Sequence, residues 1–170
     1  TKALDKIEKS LNQDLILSDS SWEVYREPFL NGDRPDFVCL NPSKGILIIK
    51  YLNFSQDNYD IERDRFIDIK TNNFVNIQNP ISYFDRLQNS IRELYLPRLG
   101  EKAFAFRAIT SCIIFNEERD KSLDLLSRFS NFNKFIDKKN QFTLGCLNKL
   151  KLSDIFPNYQ QDLSKLMSEE

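Results

Sequence analysis

Two segments of the chain space their apolar residues three and four apart, which is the pattern of a helix with one buried face. The first covers residues 4–11. The second is predicted to open at an Asn-Pro pair at residues 79–80, because proline is common at the first helical position, and to end before Pro97. The apolar positions are Leu4, Ile7 and Leu11 in the first helix and Ile81, Phe84, Leu87, Ile91 and Leu94 in the second.

Alternating or β-branched apolar residues predict strands elsewhere. Residues 36–40 and 46–52 are two such runs, and the short Asn-Pro-Ser-Lys-Gly connection between them predicts an antiparallel hairpin. This order of elements predicts an α/β fold, a mixed β-sheet flanked by helices, as a single domain over residues 1–170. Further strands are predicted at residues 22–26, 59–61, 66–69, 74–77, 104–115 and 142–147, and further helices at 120–129, 150–156 and 159–167.

Composition excludes several classes of function. The 170 residues include 24 Lys and Arg against 25 Asp and Glu, so any nucleic-acid contact must use a local basic patch. The chain contains no histidine, which excludes Ser-His-Asp and Cys-His catalysis and histidine-ligated zinc. Its four glycines form no phosphate-binding loop, which excludes P-loop and Rossmann chemistry.

The cysteines and the apolar runs indicate where the protein works. Cys39, Cys112 and Cys146 lie far apart with no CxxC pair, so we expect free, buried thiols in a reducing cytoplasm. The apolar runs are too short to span a bilayer, and the first residues lack the apolar segment of a signal peptide. We therefore expect a cytoplasmic protein with no membrane partner. Because the chain begins with threonine, we also expect a module of a larger protein.

Residues 34–49 carry the most informative motif in the chain. Pro35-Asp36 enters one predicted strand, the Asn-Pro-Ser-Lys-Gly turn follows, and the next strand is rich in isoleucine. The Phe-Leu-Asn-Gly run at residues 29–32 and the Gln-Asn-Pro run at residues 78–80 fit the same pattern. This part of the chain, roughly residues 1–96, resembles the nuclease-related domain (NERD), a branch of the PD-(D/E)xK superfamily. The resemblance implies a restriction-endonuclease-like core.

In that superfamily an Asp on one strand and a Glu-x-Lys on the next hold Mg²⁺ or Mn²⁺ beside the scissile phosphate, and the lysine orients the attacking water. The resemblance implies that Asp36 occupies the first metal-ligand position. The Glu position falls at Lys50, the Lys position at Leu52, and a glutamine position in the following helix at Tyr83. One carboxylate and one ammonium bind a hard divalent ion poorly. We therefore expect an Asp36–Lys50 ion pair in place of a metal site, and no cofactor.

Two other interpretations stay open. If a carboxylate has moved to a neighbouring element, Asp36 is a metal ligand, Lys50 serves as the catalytic lysine, and the chain is an active DNA endonuclease that uses Mg²⁺ or Mn²⁺. Glu8 on the first helix is the candidate helix acid for this alternative. If the resemblance is misleading, the chain is another α/β module and Asp36 is a turn-proximal or capping acid. Further candidates for the moved carboxylate are Asp57, Asp60 and Glu62.

Basic residues form two loose groups, for which a solvated surface and weak, salt-sensitive phosphate binding are the two interpretations. The groups are Arg86, Arg92 and Arg98 around the second predicted helix, and Lys134, Lys138, Lys139, Lys149 and Lys151 after it.

The resemblance implies a degenerate nuclease-related domain that contacts DNA or docks a protein. Its parent would be a bacterial DNA-processing protein that also carries a helicase or ATPase.

Overall fold

The computed structural model describes residues 1–29, 32–41, 44–94, 109–133 and 142–156. Its helices are α1 (Lys2–Leu11), α2 (Pro80–Leu94), α3 (Arg119–Leu126) and α4 (Leu152–Ile155), with a π-helical turn at Asn12–Ile16 and a 3-10 turn at Leu147–Lys149. Its strands are β1 (Glu23–Arg26), β2 (Phe37–Asn41), β3 (Gly45–Leu52), β4 (Tyr59–Glu62), β5 (Arg65–Asp68), β6 (Ile109–Phe115) and β7 (Phe142–Cys146).

Five of these strands form one mixed sheet in the order β1-β2-β3-β6-β7. The first three strands pair antiparallel, and β3, β6 and β7 pair parallel. The remaining two strands, β4 and β5, form a separate antiparallel hairpin. The β2–β3 hairpin predicted from the short connection is confirmed, as is the α/β fold with a mixed sheet.

Helices cover both faces of the sheet because β3 and β6 are apolar on both faces. Leu47 and Ile49 of β3 pack in the same cluster as the apolar residues of α1. Ile48 and Leu52, which alternate with them, pack with the apolar residues of α2 and α3. Lys50 lies between Ile48 and Leu52 in that alternation, so its side chain belongs to the face that α2 covers.

The predicted core is confirmed with one exception. Ile46 is half-buried because it lies next to the turn, where β3 begins. The fully or nearly fully buried members of the predicted core are Phe37, Leu47, Ile49, Phe84, Leu87, Ile91, Ile109, Ile113 and Phe115.

Two predicted elements differ in the structure, and two other predicted segments are not described. The first helix continues into the π-helical turn, which buries Leu15; the polar residues 12–14 conceal this extension in the sequence. The strand predicted at residues 74–77 is reduced to one bridge between Phe74 and Ile67. The predicted segments at residues 104–108 and 159–167 lie outside the described residues.

Two of the three cysteines are buried, as the sequence predicts. Cys39 and Cys112 are buried and free, and burial raises the pKa of both thiols, which makes them poor nucleophiles. Cys146 is free but only partly buried, contrary to the prediction, because it ends β7 at the edge of the sheet.

Within the described ranges, no helix combines the length and the apolar character needed to cross a bilayer.

Candidate functional site

Asp36 lies immediately before β2, where the β2–β3 ladder ends. Its backbone N–H donates to the carbonyl of Ile49 at 3.0 Å, which continues the strand pairing by one residue. Its carboxylate Oδ2 accepts the backbone N–H of Tyr51 at 2.6 Å. Because β2 does not extend far enough to offer Tyr51 a carbonyl, the Asp36 side chain satisfies that donor instead. One carboxylate oxygen of Asp36 therefore already has a structural role.

The structure brings Lys50 to the other oxygen of Asp36. The Lys50 Nζ lies 3.9 Å from Asp36 Oδ1, so the two side chains share a face and form an ion pair, as the strand register predicts. This separation is longer than a hydrogen bond, so the attraction is electrostatic. The same ammonium lies 5.8 Å from the centre of the Tyr83 ring. Three of the four residues that the resemblance places at the site are thus neighbours.

Tyr83 lies in the first turn of α2, which is fixed by the Asn79 side chain. The Asn79 oxygen accepts the backbone N–H groups of Ile81 and Ser82 at 2.9 and 3.3 Å. This cap orients the Tyr83 ring against the core, where its hydroxyl is buried and has no hydrogen-bond partner among the described residues. A buried donor without an acceptor is costly, so this hydroxyl is an unsatisfied polar group within the site.

Arg86 completes the cluster from the next turn of α2. Its guanidinium lies 5.6 Å from the centre of the Tyr83 ring, on the aromatic side chain that Lys50 also approaches. Its Nη2 donates to Asp33 Oδ1 at 2.8 Å, which ties α2 to the segment before β2. Asp33 and Arg86 were not identified from the sequence as parts of this site. The only sequence signal is spacing, since Asp33 precedes Asp36 by three residues and Arg86 follows Tyr83 by three.

Burial dominates the electrostatics of this cluster. It raises the pKa of Asp36, although the Tyr51 N–H and the Lys50 charge both act to lower it. It also raises the pKa of Tyr83 to about 12, with the negative charges of Asp33 and Asp36 adding to the shift. Tyr83 is therefore a neutral hydrogen-bond donor at physiological pH. The charged form of Asp36 is less stable here than in water, which is unlike a carboxylate prepared to hold a divalent cation.

Leu52 and Glu8 do not join the cluster. Leu52, at the predicted lysine position, is buried in the core beneath α2. Glu8 Oε2 accepts from Arg26 Nη1 at 2.8 Å, and Asp5 shares the same guanidinium. The apolar face of α1 packs on the side of the sheet opposite Tyr83. Glu8 therefore pairs with Arg26 and does not join Asp36.

The other candidate carboxylates are also placed elsewhere. Asp60 pairs with Arg128 at 2.7 Å, while Asp57 and Glu62 are exposed on the loop and hairpin that follow β3. In the described part of the chain, no three His, Cys, Asp or Glu side chains lie close enough together to hold a metal ion. The residues at the predicted site therefore do not fit Mg²⁺ or Mn²⁺.

The predicted basic groups are only partly described. Arg92, beyond its backbone, and Arg98 lie outside the described residues, as do Lys134, Lys138 and Lys139. Lys149 and Lys151 line a cavity of about 590 Å³ near the ends of β6 and β7. Four acidic side chains share that lining with four basic ones, so the cavity has no excess of positive charge. Among the members of these groups that the structure describes, Arg86 is the one at the site.

The role of the Asp36 carboxylate can be separated from any metal role by stability measurements. Asp36→Asn keeps an oxygen for the Tyr51 N–H and removes a disfavoured charge, so we expect it to be as stable as the unmodified chain, or more so, at pH 7. Asp36→Ala leaves that N–H without a partner and should lose about 1–3 kcal/mol. Denaturant unfolding measures both changes.

The pH dependence gives the control for this prediction. A raised pKa means that the folded state binds the Asp36 proton more tightly than the unfolded state does. The unmodified chain should therefore gain stability relative to Asp36→Asn as pH falls through the raised pKa towards the ordinary value of 3.8. If the unmodified chain instead lost stability relative to Asp36→Asn over that range, its surroundings would stabilise the charged Asp36 carboxylate. Burial would then not be the main influence on its pKa.

Comparisons with known proteins give a distant structural likeness. No family model and no curated protein matches the sequence. The chain is similar to a solved structure described as a repair endonuclease from Pyrococcus abyssi, with 12% identity and a TM-score of 0.38. The match covers 73% of this chain and 42% of that one, so the chain spans less than half the length of its structural neighbour. A likeness at this level gives no information about activity.

Proposed function

We propose that this chain is a nuclease-like domain that contacts DNA without cutting it. The observation that carries the proposal is the Lys50 ammonium 3.9 Å from the Asp36 carboxylate, where the resemblance requires a second carboxylate and a metal ion. The Tyr51 N–H takes the remaining Asp36 oxygen, and the Leu52 side chain supplies no donor for an attacking water. These contacts support a binding role for the site in preference to hydrolysis.

Membership of the nuclease-related (NERD) group belongs to the same proposal. It rests on the Pro-Asp motif, the five-residue turn and the strand that follows. On this proposal, the parent is a bacterial, cytoplasmic DNA-processing protein whose helicase or ATPase module does the chemical work. The domain then supplies a place where DNA is held beside that module, and the cations around Asp36 are the residues that meet the phosphates.

Cleavage and binding assays on the same preparation test this proposal. With Mg²⁺ or Mn²⁺ present, we expect no cleavage of single- or double-stranded DNA above a buffer control. In EDTA, we expect salt-sensitive binding of labelled DNA, since contacts to phosphates release counterions. Metal-dependent cleavage that disappears in Asp36→Ala would overturn the proposal and support the endonuclease alternative. If neither single-stranded nor double-stranded DNA bound, the proposal that this domain contacts DNA would be wrong.

A further inference from the structure

Three contacts between a cation and an aromatic ring surround the segment that leads into β2. Besides the Lys50 and Arg86 contacts with Tyr83, the Arg34 guanidinium lies 6.0 Å from the centre of the Phe29 ring. Arg34 directly follows Asp33, the partner of Arg86, so the backbone of Arg34 lies next to the Asp33–Arg86 contact. We call Phe29, Arg34, Lys50, Tyr83 and Arg86 the Phe29 surface.

Phe29 is a highly exposed aromatic residue. Its side chain is 69% exposed, and among the described residues its one ring contact is with the Arg34 guanidinium. A single guanidinium can cover only one face of a phenyl ring, so the ring keeps a flat apolar surface open to solvent. Such a surface suits a planar ligand that stacks, and Arg34 beside it supplies a charge for an anionic group on the same ligand.

The cations of this surface face outward and its carboxylates are recessed. The Lys50 side chain is 33% exposed against 15% for its partner Asp36. The Arg86 side chain is 49% exposed against 18% for its partner Asp33. An approaching ligand therefore meets the ammonium and guanidinium groups first, although the charges of the two pairs cancel. Arg34, an exposed side chain, adds a third cation to these two pairs, so the surface carries a net positive charge and favours an anion.

We infer that the Phe29 surface binds single-stranded DNA, with an unpaired base stacked on the Phe29 ring and backbone phosphates held by Arg34, Lys50 and Arg86. The inference rests on the proposed function and makes it more specific, since it names the form of DNA. Bases in a duplex are stacked on one another and their faces are not available to a ring on a protein surface. A single strand offers both the free base face and the closely spaced phosphates that this surface requires.

Fluorescence anisotropy with an end-labelled oligo(dT) of about 20 nucleotides tests the inference, with a duplex of the same length as the second ligand. We expect tighter binding of the single strand. Phe29→Ala should weaken its binding by about 5- to 150-fold, the range for losing one stacked base, and should leave duplex binding unchanged. Because Phe29 is exposed, this variant should keep the melting temperature of the unmodified chain.

The β4–β5 region offers a matched control. Phe74 is also an exposed phenylalanine with an arginine over its ring, at 4.4 Å from Arg65, but it lies outside the Phe29 surface. Phe74→Ala should therefore leave single-strand binding unchanged. Neutralising Arg34, Lys50 and Arg86 together with glutamine should lower the slope of log affinity against log salt by about two for the single strand.

The outcomes separate the inference from the proposed function. Equal binding of single strand and duplex, unaffected by Phe29→Ala, would overturn the inference and leave a DNA-contacting domain. Equal losses in Phe29→Ala and Phe74→Ala would also overturn it, because they would show nonspecific adhesion to exposed rings. Failure to bind either ligand would overturn both the inference and the DNA role.

Discussion

Leu52→Lys should destabilise the protein by about 4 kcal/mol or more, because it places an ammonium in the core beneath α2. Leu52 is buried with Val38, Ile48 and Tyr83, and none of these side chains ends in an acceptor with a negative charge. A loss of that size is a large fraction of the roughly 5–15 kcal/mol that holds typical domains folded. Urea unfolding followed by circular dichroism measures it.

Leu17→Lys is the matched control for this substitution. Leu17 is a highly exposed leucine, and lysine there should change the free energy of unfolding by no more than about 0.5 kcal/mol. If Leu52→Lys were as mild as Leu17→Lys, the end of β3 would be open enough for a lysine to reach solvent. The position would then be compatible with a catalytic lysine, and Leu52 would no longer count against cleavage.

The Asp36–Lys50 contact could be predicted because it depends on local rules. A short connection closes a hairpin, and alternate residues of a strand share a face, so the register follows once the two strands are identified. The register of this hairpin and the start of α2 at the Asn-Pro pair are features that a short stretch of sequence determines by itself. The position of Tyr83 at the site is implied by the resemblance alone.

The other parts of the site depend on packing between distant segments. The Arg86–Asp33 contact joins residues 53 positions apart, and nothing local to either residue predicts it. The role of the Asp36 carboxylate follows from where the β2–β3 ladder ends, before β2 can supply an acceptor for the Tyr51 N–H. The sequence identifies Asp36 as an acid entering a strand, but only the packed sheet shows which donor it accepts.

Lys50→Glu should create divalent-metal binding that the unmodified chain lacks. The substitution removes the ammonium beside Asp36 and places a second carboxylate across from it on the neighbouring strand. Side chains opposite each other on adjacent strands have Cβ atoms about 4.5–5.5 Å apart, which lets both carboxylates reach one ion. Without metal, the two like charges repel, so the variant should be less stable than the unmodified chain in EDTA.

Metal should reverse that loss, because an ion that binds only the folded state stabilises it. At a Mn²⁺ concentration of about 100 times the dissociation constant, linkage predicts about 2.7 kcal/mol of stabilisation, or a rise in melting temperature of about 5–10 °C. Calorimetric titration gives the dissociation constant directly. Recovery of DNA cleavage is not expected, because Leu52 still occupies the lysine position and Leu52→Lys disrupts the core.

Lys50→Gln is the control, since it removes the same positive charge without adding a carboxylate, and its melting temperature should not respond to Mn²⁺. A metal-dependent rise in the unmodified chain would show that Asp36 and its neighbours already bind a divalent ion, against the ion-pair interpretation. No rise in Lys50→Glu would show that the Tyr51 N–H holds the Asp36 carboxylate away from any ligand. In that case the Asp36 carboxylate has only a structural role in the sheet, and a glutamate at position 50 is insufficient to rebuild a metal site.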